Sequence, residues 1–182
     1  MLPQLLFRRK GPAYPYKLRL ATVSLTGLLL VLFITAGAQN TNGNKSNQLN
    51  LSDGVALSGY DAVAYFNQNK PIKGDKQYST GFEGATYYFS SRQNLEAFKK
   101  APHKYLPQYG GWCAYAMGAK GEKVEVNPET FKITDGKLYL FYNKYLTNTL
   151  TIWNKDEKKL QVQADANWKK AVLPPCLATQ TP

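Results

Sequence analysis

Phe131-Lys132-Ile133-Thr134-Asp135-Gly136-Lys137-Leu138-Tyr139-Leu140-Phe141-Tyr142 is a hairpin written in residues. Branched and aromatic side chains on both sides favour strands at Phe131–Thr134 and Leu138–Tyr142. Asp-Gly between them is a strong two-residue turn pair, because both positions tolerate positive φ. Working outward, Gln77–Glu83 and Ala85–Phe89 repeat the arrangement around Glu83-Gly84, with Tyr78, Phe82, Tyr87 and Phe89 as strand-forming bulk.

Helical patterns fill the spaces between and after the hairpins. Ser90 with Gln93 fits a capping box, opening a helix that carries Leu95 and Phe98 on one face. Pro102 opens a short turn through His103, Lys104 and Tyr105. Leu146, Leu150, Trp153, Leu160 and Ala164 suggest one or two helices ending near Trp168. Strands followed by packed helices, without regular βαβ alternation, imply an α+β class. The expected domain is single and small, with two antiparallel hairpins packed with several short helices.

The flanks read differently. Arg8, Arg9, Lys10, Lys17 and Arg19 precede an apolar run from Leu20 to Ala38, which closes on Ala36-Gly37-Ala38. That order fits an export signal over 1–38 with cleavage after Ala38. An uncleaved membrane anchor is the alternative, since the run is near the roughly 20 residues a span needs. Both place the domain outside the cytoplasm, in the periplasm or an equivalent exported compartment. Residues 39–50 are polar and aperiodic, as a linker is. The domain is expected over 51–172, with a tail at 173–182.

Length and composition bound the rest. The chain has 182 residues, 43% of them hydrophobic, which is enough for one core. Thirteen tyrosines suggest a shell of half-buried rings. Removing the five leader cations from the formal +11 leaves +6 on the mature chain. The lysine pairs Lys99-Lys100, Lys158-Lys159 and Lys169-Lys170 are dispersed and carry no nucleic-acid-binding motif. No P-loop, dinucleotide fingerprint or nucleophile elbow is written in the chain.

Chemistry concentrates in Gln108-Tyr109-Gly110-Gly111-Trp112-Cys113-Ala114-Tyr115-Ala116-Met117-Gly118. Two glycines permit a sharp bend, and Cys113 follows among Tyr109, Trp112 and Tyr115. Cys113 has two readings. It is a small buried thiol behaving as a hydrophobe, or a thiolate activated near a helix N-terminus. Met117 falls one helical turn later, and His103 is the sole histidine. Cys, Met and His are donors that copper(I) or another soft ion accepts, so Cys113, Met117 and His103 are the candidate metal set. Cys176 sits in the Pro-flanked tail, where pairing with Cys113 is less expected than a free thiol.

Several stretches together resemble exported YHS-domain proteins. They are Val55–Phe66, Phe82–Ser91, Asn94–Phe98, Pro102–Tyr105, Tyr109–Tyr115 and Ala164–Trp168. The resemblance spans about Val55 to Trp168. It implies a small module of a group often linked to metal handling, including copper transport. Many members carry paired cysteines where this chain has Ser90 and Ser91. Relatives with selenocysteine at the position of Cys113 imply a reactive role for that residue. Tyr60 and Asp61 belong to another shared motif. They could stand beside Cys113 and hold a ligand, or Asp61 could cap a helix through Ala62–Phe66. The resulting expectation is a module holding a soft metal or small ligand near Cys113, with Trp112, Tyr109, Tyr115, Tyr60 and Asp61 around it. The alternatives are a thiol-based redox or peroxide-reactive protein using Cys113, and an interaction module without bound ligand.

Overall fold

The computed structural model of the chain describes residues 48–172. The leader, most of the linker, the tail and Cys176 lie outside the described residues. The packed domain takes in Gln48–Asn50, which the sequence reading assigned to the linker. The Asn50 amide donates to Gly110 O at 2.9 Å, and Gln48 O accepts from the Trp112 indole at 2.8 Å.

The architecture is α+β. Strands β1 (Leu51–Ser52) and β2 (Val55–Ala56) form a small hairpin. A tight turn at Leu57–Gly59 leads to helix α1 (Ala64–Asn67). β3 (Asp75–Phe82) and β4 (Ala85–Phe89) follow, and the sheet order is β1-β2-β4-β3. The β3–β4 register pairs Phe82 with Ala85, so Glu83-Gly84 is a two-residue loop with both φ positive. β2 pairs with β4 in parallel, Val55 opposite Thr86.

Next come α2 (Arg92–Lys100), α3 (Pro102–Tyr105), a tight turn at Gln108–Gly111, and α4 (Ala114–Lys120). The cap of α2 is Ser91, whose hydroxyl accepts from the Asn94 amide at 3.2 Å. This shifts the expected start by one residue and leaves Ser90 for another task. β5 (Asn127–Thr134) and β6 (Lys137–Phe141) turn at Asp135-Gly136 as the sequence implies. The chain then makes a fourth hairpin, β7 (Asn143–Lys144) and β8 (Thr147–Asn148), before α5 (Thr149–Trp153) and α6 (Glu157–Val172). Leu146, expected in a helix, is instead an exposed residue of the β7–β8 turn. Among the described residues no helix is long and apolar enough to cross a membrane.

β6 divides the interior. Leu138 and Leu140 face a cluster with Val63, Tyr65, Phe89 and Phe98. Tyr139 and Phe141 face a second cluster with Tyr109, Met117, Trp153 and Ala164. Both faces of one strand are therefore buried, which explains its unbroken apolar run. One edge of β6 pairs with β5. Along the other lies the 107–113 segment, bridged in parallel at Pro107–Leu138 and Cys113–Leu140.

Candidate functional site: a cleft at the Tyr109–Gly111 turn

Two cavities flank the segment that the sequence marks as chemical. The larger has a volume of about 550 Å³ and is walled by both clusters and by the start of the domain. Leu57 and Tyr87 come from the first side, Tyr109 and Trp168 from the second, with His103 and Leu106 between. That volume lies within the range of ordinary small-molecule sites.

Left-handed backbone borders this cleft, as it also marks hairpin turns elsewhere in the domain. Tyr109, Gly110 and Gly111 take φ of 54°, 62° and 86° in succession. Leu57 and Ser58 take 55° and 50° just before Gly59. Glu83, also on the wall, takes 46°. Left-handed geometry at a non-glycine residue costs of order 1–3 kcal/mol and concentrates at functional sites. A side chain cannot replace hydrogen at Gly110, because its Cβ would meet Gln48 O at 2.7 Å and the Trp168 ring at 3.0 Å.

Helix α6 fixes the turn from outside. The Tyr109 hydroxyl donates to Asp165 at 2.9 Å, and the Trp168 ring lies edge-on to Tyr109. Burial raises the Tyr109 pKa, and the Asp165 carboxylate raises it further. Tyr87 is pushed up to about 12, first by burial and then by Glu83. Both phenols stay neutral donors at physiological pH. Asn167 donates to Met117 O at 2.8 Å, tying α6 to the last turn of α4. The Ala164–Trp168 motif thus has a physical role: Ala164 is buried in the second cluster, and Asp165, Asn167 and Trp168 hold the glycine turn and α4. Sequence reasoning missed Asp165 and Trp168 as cleft residues. Their spacing of three, on one helix face, was the available signal.

The second cavity, of about 160 Å³, lies at Cys113 with Tyr115, Lys120, Tyr142 and Thr149. Cys113 is a free, fully buried thiol. Its Sγ accepts from the Tyr142 amide at 3.4 Å and lies 3.4 Å from Thr149 Oγ1. The Thr149 hydroxyl donates to Tyr142 O at 3.0 Å, which leaves its oxygen free to accept the thiol proton. Cys113 is also the residue preceding α4.

The proposed metal set is not assembled. Met117 packs into the second cluster, while His103 stands against Phe82, 5.2 Å between rings, and lines the larger cleft. Among the described residues no three of His, Cys, Asp and Glu gather to hold an ion. One thiol beside a hydroxyl and an amide N–H does not suit copper, which asks for several soft donors.

The remaining candidates have other employment. Asp61 is buried and accepts from the Val63 and Ala64 amides, the Ser90 amide and hydroxyl, and Asn94 Nδ2. It caps the entry to α1, and Ser90 serves it. The Tyr60 hydroxyl donates to Glu129 at 2.8 Å, and the Lys73 ammonium sits 3.8 Å over its ring. Burial, then Glu129, raises the Tyr60 pKa. Trp112 holds Gln48 through its indole N–H. These three line neither cavity. Of the candidate ligand-binding residues, Tyr109 walls the larger cleft, while Tyr115 and Cys113 wall the smaller.

A family model described as YHS domain matches residues 63–109. No curated protein and no solved structure matches the chain. The match runs from the residue before α1 through β3, β4, α2 and α3 into the turn that walls the larger cleft. Residues 63–109 of this chain are therefore similar to a YHS domain.

Proposed function

We propose that this protein works outside the cytoplasm as a binding module for a small amphipathic organic molecule, held in the cleft at the Tyr109–Gly111 turn. The observation that carries the reading is the 550 Å³ cleft walled by three left-handed backbone segments. Leu57, Leu106 and Trp168 supply an apolar wall, with His103 and the Tyr109–Asp165 pair as polar contacts. Copper, which the family resemblance suggests, finds no matching donor set. The basic and then apolar order of residues 1–38, which fits an export signal, supports that location.

An environment-sensitive anilinonaphthalene dye tests the site. Saturable binding at one site is expected, weakened at least tenfold by Leu106→Trp, which fills the cleft. Absence of saturation, or equal binding by that variant, would sink the proposal.

A second reading is thiol chemistry at Cys113, favoured by its small cavity and by the Tyr142 and Thr149 contacts. Peroxide would oxidise the thiolate to sulfenic acid and leave as hydroxide. Dimedone capture of that species after peroxide treatment supports it. A thiol that resists both peroxide and alkylation until the protein unfolds excludes it.

A further inference from the structure

The β7–β8 hairpin breaks two rules at once. Its register pairs Asn143 with Asn148 and Lys144 with Thr147, leaving Tyr145-Leu146 as a two-residue loop. Both residues take positive φ, 50° and 65°, in a turn that favours Asn-Gly. Buried bulk elsewhere repays such strain by packing. Here Tyr145 is 90% exposed and Leu146 fully exposed, so the tip gains no packing from its own domain.

The hairpin is not slack. Asn143 Nδ2 donates to Thr130 on β5 at 3.0 Å, and Asn148 caps α5 by accepting from the Leu150 amide. At its base, the Thr149 amide and hydroxyl both donate to Tyr142 O. A strained, apolar apex is therefore held out on a fixed stem.

We infer that the Tyr145-Leu146 tip is a docking point for an anionic lipid bilayer. Two projecting side chains offer far less than the roughly 1,000 Å² a specific protein interface needs. A bilayer requires no complementary shape. Tyrosine settles at headgroup depth and leucine below it. Charge selects the lipid. From Tyr142 to Leu150, the hairpin and its flanks carry no acidic residue, and Lys144 is exposed beside the tip. Lys144 immediately precedes the tip, and its long stem lets the ammonium reach phosphate oxygens while the apex enters.

The test uses the full chain with Tyr145→Trp and vesicles containing brominated lipid. Bromine is expected to quench the added indole several-fold more in vesicles of equal phosphatidylcholine and phosphatidylglycerol than in phosphatidylcholine alone. The double variant Tyr145→Asn/Leu146→Gly keeps the stem and installs the favoured turn. Its thermal midpoint is expected to rise by roughly 4 °C or more. Vesicles are expected to slow amide exchange in β7–β8 of the natural chain, and the double variant should lose that slowing. Quenching indifferent to bromine or to headgroup charge overturns the inference. So does concentration-dependent burial of the added indole without lipid, which would mean a second copy covers the tip. A lowered midpoint in the double variant overturns the strain argument beneath it.

Discussion

Asp61 accepts five hydrogen bonds from α1, Ser90 and α2 while fully buried. A buried carboxylate is tolerable only when its lone pairs are filled, and here backbone and side-chain donors fill them. Asp61→Asn exchanges one acceptor oxygen for an NH₂ that faces donors. The expected loss is about 3 kcal/mol in urea unfolding. Activity-like readouts such as dye binding should survive in the folded fraction. The residue types around this group were legible in the sequence, and so was the cap on α1. The bonds from Ser90 and Asn94 were not, because they span 29 and 33 residues. Cys113 teaches the same point from the other direction. Its oddity was plain in Gly-Gly-Trp-Cys, yet burial against β6 is decided by residues 138–142, far along the chain.

At the scale of elements, α4 and α6 meet through a glycine. A Cβ on Gly118 would fall 2.6 Å from Leu160 O, so the helices are closer than any larger residue permits. Gly118→Ala is expected to cost about 1–3 kcal/mol by pushing α6 outward. It should also loosen dye binding, because Asp165 and Trp168 travel with that helix. Glu83-Gly84 and Asp135-Gly136 announced their hairpins, since local backbone preference suffices there. Asp53-Gly54 carried the same signature between β1 and β2, and strands of two residues gave it no flanking pattern to punctuate. The β7–β8 hairpin was illegible for a physical reason. Tyr145 and Leu146 are poor formers of the turn they occupy, so apolar spacing assigned Leu146 to a helix. The cleft was half legible: its glycine turn stood out, whereas Leu57, Tyr87 and Trp168 converge only through the β2–β4 pairing and the docking of α6.

At the largest scale, the described domain is two apolar clusters sharing β6, with the cleft opening where their walls meet. Both ends of the described chain come to that opening. Gln48 Nε2 donates to Val172 O at 3.3 Å, and both residues line the cleft. Neighbouring ends make the order of the chain around the core a matter of convention. A circular permutant joining 172 to 48 by a short Gly-Ser linker, and opened between Tyr145 and Leu146, should fold with near-native circular dichroism and a single unfolding transition. Failure to fold would show that the strained tip or the free ends are needed to reach the native state. The same adjacency makes the Gln48–Val172 clasp part of the cleft wall, so fraying that seam would also unlatch the doorway.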